Sequence, residues 1–498
     1  MTLVKATPRK VKEIRARIGH PVIDGDAHVI EGPFAFHDFI KQVAGPDVVK
    51  RFEARQARRG KGHRFGFWAS PSGPMTIDRA TVMLPKLYYE RLPEVGLDFA
   101  VIYTSEGLTA MQEQDAELRQ ALHRALNMMY ADMFGPYADR LTPSALIPMH
   151  SPEEAIAELE FAVGELGMKS ITISSEWRGP IPEVAEAAPG VAGHTRKVYS
   201  FTIDSPYDYD PFWQRCVDLK VAVTGHGGAQ ATQRRESHTN FVYNRLGSFS
   251  VGAEHLARSL FLGGVTRRFP TLNFGMLEGG VGWACALYND LCEFWEKRNV
   301  AYLKKYMNPA DIDMELMIAA FEEYGNAYLT SDRVRENPDN LFSWTWEDDR
   351  DIDDFRLCGI EKEEDVRDLF VPNFYFGCEA DDRMNAVAFN RKLNHFDVQL
   401  KAIYSSDIGH WDVPNIRYVV PEAWALVEDG LITEEDFRSF VFRNAAEMHT
   451  QMNPDFFKGT AVESAVAKLV ADGEIAIPDH GRAAAAEQGG LSPVRTGA

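Results

Sequence analysis

Eight short apolar segments, rich in β-branched residues, recur along the chain with helical patterns between them. Because each segment is apolar throughout instead of alternating, it is typical of a strand buried on both faces of a parallel sheet. The predicted strands cover residues 21–28, 97–105, 141–150, 169–175, 220–226, 272–280, 374–380 and 401–410. Eight parallel strands, each followed by a helix, close a (β/α)₈ TIM barrel, so the pattern predicts an α/β protein of that class.

The segments between the strands carry signals for helix ends. "SPEEAIAELEFAVGELG" has Ser151 as an N-cap, Pro152 at the first helical position and Gly167 at its end. The alternative architecture, an open doubly wound sheet, would place a glycine-rich phosphate-binding turn after an early strand. The first predicted strand is followed by acids and a histidine instead, which favours the barrel.

The chain is much longer than a minimal barrel. It has 498 residues, whereas a barrel needs roughly 250. We predict an N-terminal extension at residues 1–20 and a barrel domain at residues 21–452. The barrel domain has insertions after strands 1, 4 and 6, at residues 32–94, 178–210 and 284–372. The remaining residues, 453–498, are predicted to form a partly disordered, low-complexity tail. Such insertions form lids, subunit contacts or solvated surface, and their extra surface predicts a homodimer or a higher homo-oligomer.

Composition narrows the class of partner. The net charge of -20 and the pI of about 5.2 argue against nucleic acid or an anionic membrane, which both need a basic surface. Five cysteines without a CxxC pair predict a reducing compartment and no disulfide framework. The N-terminal segment lacks the apolar core of a signal peptide, and no apolar run approaches the ~18 residues of a membrane span. We therefore expect a cytoplasmic protein with a small-molecule substrate.

Polar residues gather where the predicted strands end. In "PVIDGDAHVIE", Asp26 and His28 end the first strand; strands five, six and eight end in His226, Glu278 and Asp407. All strands of a barrel deliver their carboxyl ends to one face, where active sites lie. Carboxylates and imidazoles that converge there form a site for a divalent metal ion.

The individual residues are weaker evidence than their positions. An acid two places before a histidine is expected about twice by chance in this composition, and only one such pair lies at a predicted strand end. Taken singly, Asp26 and Asp407 could be capping residues, His28 and His226 buried hydrogen-bonding histidines, and Glu278 a turn residue. The metal site depends on their coming together.

Several motifs resemble the amidohydrolase-related family typified by aminocarboxymuconate-semialdehyde decarboxylase. These are "DGDAHVIE", "LGGVTRRFPTLNFGMLEGGVGW" and "SSDIGHWD", with "ALHRALNMMYADMF" and "FRNAAEMH" similar to its helix motifs. The resemblance runs from about residue 20 to residue 452. It implies a metal-dependent barrel enzyme with one divalent ion, Zn²⁺ or Mn²⁺, held by Asp26, His28, His226 and Asp407.

The chain departs from the family prototype at two places. The prototype has histidine at the position of Asp26, where related decarboxylases have glutamate, and a carboxylate there favours Mn²⁺ weakly. The prototype also has a catalytic histidine where this chain has Glu278. That second difference puts direct transfer of the decarboxylase mechanism in doubt.

The leading hypothesis is therefore a hydrolase. A divalent ion lowers the pKa of bound water from ~15.7 toward ~7, and that water would attack the carbonyl carbon of an amide, an ester or a C–C bond next to a ketone. Asp407 and Glu278 would be the catalytic acid and base groups. The alternative is a non-oxidative decarboxylase of an aromatic or unsaturated carboxylic acid. A third hypothesis, a catalytically inactive barrel used as a scaffold, is opposed by the complete ligand set.

Three further residues are candidates for substrate binding. Arg178 follows strand four and would clamp an anion, Trp283 follows strand six and would form an apolar wall, and His410 would line the mouth. Surface packing is the alternative for Arg178 and Trp283, and bracing of the last loop is the alternative for His410.

Overall fold

The strands of the computed structural model follow the predicted pattern. The structure describes residues 8–58, 70–192, 195–227, 237, 239–341 and 346–479. Ten strands run in this part of the chain: β1 Ile23–Val29, β2 Phe99–Thr104, β3 Leu141–Leu146, β4 Ser170–Ser174, β5 Trp177–Pro180, β6 Arg196–Tyr199, β7 Val223–His226, β8 Phe274–Met276, β9 Phe374–Glu379 and β10 Lys401–Ser405.

Eight of these strands form one parallel sheet in the order β1-β2-β3-β4-β7-β8-β9-β10. Its two edges come together because β10 lies against β1. There the amide of Ser406 donates to Asp24 Oδ1 (3.0 Å), and the amide of Asp407 donates to the carbonyl of Asp26 (3.3 Å). The TIM barrel predicted from the sequence is confirmed.

Helices surround the barrel and fill the long insertions after β1, β4 and β8. They are α1 Pro8–Ile18, α2 Pro33–Val43, α3 Pro46–Arg58, α4 Thr76–Met83, α5 Pro85–Val95, α6 Gly107–Ala110, α7 Ala116–Phe134, α8 Pro152–Leu159, α9 Pro182–Ala187, α10 Asp210–Asp218, α11 Phe241–Arg245, α12 Ser248–Leu262, α13 Val265–Arg268, α14 Gly282–Arg298, α15 Val300–Tyr306, α16 Met314–Tyr324, α17 Ser331–Glu336, α18 Glu363–Phe370, α19 Asn385–Phe389, α20 Val419–Glu428, α21 Glu434–Arg438, α22 Asn444–Met452 and α23 Glu463–Ala471. As predicted, the Ser151 side chain caps α8, where it accepts a hydrogen bond from the amide of Glu154 (3.3 Å).

The core lies between the barrel and its helices, and it fixes the strand ends. Every residue of β1 and β2 is buried. A Cβ atom on Gly225 would lie 2.3 Å from Leu256 Cδ2, so a side chain at this position would have to displace Leu256, which packs α12 on β7. That packing fixes the position of His226, the next residue.

The two ends of the described chain pack on the barrel domain. Val11 and Ile14 of α1 are buried, as are Val466 and Leu469 of α23. Residues 480–498, which include the end of the tail predicted to be disordered, lie outside the described residues. In the described ranges, no helix combines the length and the apolarity needed to cross a membrane.

Candidate metal centre

The carboxyl ends of four barrel strands bring five polar side chains together. Asp26 and His28 lie in β1, His226 ends β7, and Glu278 and Asp407 follow β8 and β10 by two residues. All five side chains are buried. The structure therefore assembles the whole set that the sequence predicted at the strand ends.

Two of these residues have a strained backbone. Glu278 has a φ of 56° and Asp407 a φ of 50°, in the left-handed region that costs a residue with a Cβ roughly 1–2 kcal/mol. Strain of this kind persists where the surrounding structure enforces it, often at functional sites. Here the two strained residues both contribute a carboxylate to the cluster.

The two imidazoles face each other at the centre. The Nε2 atoms of His28 and His226 are 3.0 Å apart, and Asp26 Oδ1 lies 3.4 Å from the first and 3.6 Å from the second. Glu278 Oε2 is 3.3 Å from Nε2 of His226, and Asp407 Oδ1 is 3.7 Å from Nε2 of His28. Five ligand atoms thus surround one small volume.

Most of the carboxylate oxygens in the cluster accept no hydrogen bond from the described residues. Both oxygens of Asp26, Oδ2 of Asp407 and Oε2 of Glu278 are buried without a hydrogen-bond partner in that part of the chain. Leaving a buried charged group unpaired costs several kcal/mol, and a divalent cation is the ligand that satisfies such a set together with neutral imidazole nitrogens. The residues present therefore fit a divalent metal ion.

The electrostatics point the same way. Burial alone would raise the pKa of Asp26, but the charges of His226 and His28 outweigh it and hold that pKa below its ordinary value. Burial, with the nearby carboxylates of Glu278 and Asp412, raises the pKa of Asp407 well above its ordinary value. Negative charge is crowded at this point of the barrel, which is the environment that attracts a cation.

Arg245 is a site residue that sequence reasoning missed. It ends α11, and its guanidinium forms an ion pair with Glu278 Oε1 and lies 4.1 Å from the centre of the Phe249 ring. This pair holds one oxygen of Glu278 and leaves the other directed at the imidazoles. The residue comes from a short helix and not from a strand end, so the rule that found the other residues could not find it.

His410 lines the cavity over the cluster, as predicted, and also contacts a candidate metal ligand. Its Nδ1 is 2.5 Å from Asp407 Oδ1, and its Nε2 is 2.9 Å from Ser105 Oγ. Burial, together with the positive charges of His28 and Arg245, lowers the pKa of His410 well below its ordinary value. It is therefore a neutral imidazole in contact with a candidate metal ligand.

A cavity of about 420 Å³ opens directly over the cluster. Its polar lining includes His226, Glu278 and His410, and its apolar lining includes Ile30, Leu108, Met111 and Phe249. Arg178 and Arg245 bring positive charge to its wall. Arg178, predicted as an anion clamp, is held there by hydrogen bonds to Glu176 Oε1 (2.9 and 3.1 Å).

Trp283, predicted as an apolar wall for the substrate, packs on the protein core. It is the second residue of α14, is partly buried against the core, and packs edge to face on Phe376 with ring centres 5.5 Å apart. It is absent from the described residues that line the cavity. Its position matches the packing role that the sequence left open as its alternative.

The sequence profile of the Amidohydrolase family matches residues 23–326. This match covers more than half of the chain, and the chain belongs to that family, as its motifs predicted. It is accordingly a metal-dependent enzyme of the amidohydrolase superfamily.

Solved structures with the same fold include three structures of decarboxylases. 2,6-Dihydroxybenzoate decarboxylase from Rhizobium matches with a TM-score of 0.50 and 12% identity, over 86% of this chain and 99% of that chain; 2,6-dihydroxybenzoate decarboxylase complexed with 2,6-dihydroxybenzoate gives 0.50 and 13% over the same shares. 5-Carboxyvanillate decarboxylase from Novosphingobium aromaticivorans was solved with bound manganese and 3-methoxy-4-hydroxy-5-nitrobenzoic acid. It matches with a TM-score of 0.50 and 13% identity, over 87% of this chain and 98% of that chain. At these identities the likeness is one of fold.

Proposed function

We propose that this chain is a metal-dependent, non-oxidative decarboxylase of an aromatic or otherwise unsaturated carboxylic acid. This was the alternative to hydrolysis in the sequence analysis, and the three solved structures of the same fold, which are decarboxylases by name, support it. The observation that carries the proposal is the cavity over the cluster, which combines apolar walls with guanidinium groups.

The cavity suits a flat acid. Leu108, Met111 and Phe249 line it with apolar surface, which favours an aromatic or conjugated body. Arg178 and Arg245 stand at its wall, and guanidinium groups are the preferred partners of carboxylates. A substrate with an apolar ring and a carboxylate would find complementary groups for both parts.

Asp26, His28, His226 and Asp407, with Glu278 beside them, would hold the divalent ion. When bound, the ion would orient and polarise a carboxylate or phenolate oxygen of the substrate. Because three of the five groups are carboxylates, we propose Mn²⁺ ahead of Zn²⁺.

Decarboxylation needs a proton at the carbon that loses CO₂. The C–C bond to the carboxyl group breaks, its electron pair stays on the substrate carbon, CO₂ leaves and a proton is added there. Asp407 would deliver that proton, since it is buried in contact with a residue that lines the cavity. His410 touches Asp407 and also lines the cavity, so it can return a proton to Asp407 from solvent.

In this proposal Glu278 is not the catalytic acid or base that the sequence analysis assigned. Its Oε1 is paired with Arg245, so that oxygen is not free to face the substrate. In the decarboxylase proposal it positions Arg245 and adds negative charge beside the ion.

Hydrolysis is the second candidate, and one observation favours it. Among the described residues Glu278 Oε2 has no hydrogen-bond partner, and it lies 3.3 Å from His226 Nε2, where a carboxylate could take a proton from an attacking water. In that reaction Glu278 and Asp407 would both act as bases.

Isotopes separate the two reactions. Full-length protein reconstituted with Mn²⁺ would be given hydroxybenzoates and unsaturated acids in D₂O, and parallel amide and ester substrates in H₂¹⁸O. We expect one molecule of CO₂ for each molecule of product, and deuterium at the carbon that lost the carboxyl group. The Asp407→Asn variant should show neither, and the control variant Asp332→Asn, at an exposed position, should show both. Product that carries ¹⁸O without CO₂ release would establish the hydrolase instead.

A further inference from the structure

A second cavity shares a wall with the cavity over the metal centre. Its volume is about 530 Å³, and both cavities are lined by Arg245, Phe249 and Glu278. The rest of its charged lining is acidic and consists of Glu379, Asp381, Asp382 and Asp412. Arg245 is the only basic residue among the described residues that line it. We name this space the acidic cavity.

The acids of this cavity come from the carboxyl ends of two paired strands. Glu379 is the last residue of β9, and it lies opposite Ser405, the last residue of β10. Asp407 and Asp412 both belong to the segment that follows β10. Because parallel strands of a barrel end at one face, these acids lie next to the metal centre.

Three carboxylates meet where the acidic cavity borders the metal centre. One oxygen each from Glu379, Asp407 and Asp412 lies within 4.8 Å of the other two. The side chain of Asp407 is only 2% exposed; its Oδ1 contacts His410 Nδ1, whereas its Oδ2 has no hydrogen-bond partner among the described residues. Asp412 Oδ1 is also buried without a partner in that part of the chain. Carboxylates this close repel each other unless a proton or a cation lies between them.

The charges around these carboxylates do not balance. Arg245 is paired with Glu278, and its Nη2 lies 4.0 Å from Asp412 Oδ2. With one divalent ion in the metal centre and neutral histidines, two negative charges remain on the carboxylates of Asp26, Glu278, Glu379, Asp407 and Asp412. Burial and the neighbouring carboxylates raise the pKa of Glu379 to about 8, which reflects this crowding. A second divalent ion would offset the remaining charge.

We propose that Glu379, Asp407 and Asp412 form a second cation site, and that this site takes Ca²⁺. All three ligands are carboxylates, which hard cations prefer, whereas the metal centre adds two imidazoles. Ca²⁺ accepts irregular shells of about six to eight oxygens, and the acidic cavity has room for the water molecules that would complete the shell. The second site meets the metal centre only at Asp407, so it does not depend on which reaction the metal centre catalyses.

The test is a calorimetric titration of Ca²⁺ into full-length protein loaded with one equivalent of Mn²⁺. We expect one Ca²⁺ to bind per chain while Mn²⁺ stays bound, which electron paramagnetic resonance of free Mn²⁺ would show. Glu379→Gln/Asp412→Asn keeps the size of both side chains and removes two ligand charges, so Ca²⁺ affinity should fall at least about 10-fold. The matched control, Glu435→Gln/Asp332→Asn, changes exposed acids elsewhere and should bind Ca²⁺ as the wild type does.

A second measurement does not depend on how the double variant folds. Tb³⁺ is a luminescent substitute for Ca²⁺, and Trp411 lines the acidic cavity, where its indole would pass excitation energy to the ion. We expect terbium emission on tryptophan excitation of the wild-type protein. Added Ca²⁺ should reduce this emission by displacing Tb³⁺, and Trp411→Phe should weaken it.

Four results would overturn the proposal. The first is no binding of Ca²⁺ by the manganese-loaded wild type, and the second is release of one Mn²⁺ for each Ca²⁺ bound, which would place Ca²⁺ in the metal centre. The third is full Ca²⁺ affinity in the double variant. The fourth is terbium emission that neither Ca²⁺ nor Trp411→Phe reduces.

Discussion

The ion pair between Arg245 and Glu278 shows how single residues set the geometry of the centre. Arg245 contributes no atom to the candidate ligand set, yet it holds Glu278 Oε1 and so fixes where Oε2 points. Its side chain is only 13% exposed, which places both charges in a region of low dielectric constant. A buried pair of this kind is costly to break because one charge is left without compensation.

Arg245→Met should therefore leave Glu278 as an unpaired buried anion. We expect a loss of about 3 kcal/mol in the free energy of unfolding and a fall of at least about 100-fold in kcat/KM. Urea denaturation and steady-state kinetics measure the two effects. Arg258→Met is the matched control, since Arg258 is half-exposed and pairs with Glu254 on the surface; an equal loss in both variants would contradict the assignment.

At the scale of elements, the seam between β1 and β10 joins the barrel edges and the metal centre. Asp24 Oδ1 accepts hydrogen bonds from the amides of Ser406 (3.0 Å) and Asp26 (3.2 Å). One side chain thus ties the last strand to the first, next to the residues that would bind the ion.

Substitution at Asp24 tests that seam. Asp24→Ala would leave two buried amides without an acceptor and should cost roughly 2–5 kcal/mol of stability. Asp24→Asn keeps an acceptor oxygen and should lose far less. Equal destabilisation of the two variants, measured by urea denaturation, would show that the hydrogen bonds do not hold the seam.

The barrel strands were predictable because burial on both faces gives them an unmistakable apolar pattern. Their ends were less predictable: the strands expected at 141–150 and 272–280 stop at Leu146 and Met276, because the chain leaves the sheet there to form the active-site face. The hairpin of β5 and β6 was missed since its segment is rich in proline and glycine and mostly exposed. The candidate ligands were predictable for one reason, that they lie at strand ends.

At the scale of the whole molecule, buried histidines make the fold sensitive to acid. His123 in α7 and His449 in α22 are fully buried, and burial lowers the pKa of each to about 3. The folded state keeps both rings neutral, whereas in the unfolded chain each ring binds a proton below the ordinary histidine pKa of 6.5. The stability that the two neutral rings contribute is therefore complete above pH 6.5 and is lost as the pH falls from 6.5 toward 3.

The acid sensitivity can be assigned to one ring. At pH 4.5 each histidine should lower the free energy of unfolding by roughly 2–3 kcal/mol relative to neutral pH. His449 stacks on Phe456 with ring centres 4.2 Å apart, so His449→Phe keeps the aromatic contact and should flatten the decline of stability between pH 6.5 and pH 4.5. Urea denaturation at a series of pH values measures this. An unchanged slope in His449→Phe would refute the assignment.

The central claim of this account is that Asp26, His28, His226 and Asp407 hold one divalent ion at the carboxyl face of the barrel. Anomalous diffraction at the manganese absorption edge, from crystals of manganese-loaded protein, tests it most directly. The account predicts one peak per chain, about 2.0–2.3 Å from Nε2 of both histidines and in contact with both carboxylates. A map of active protein with no peak among these four side chains would contradict it.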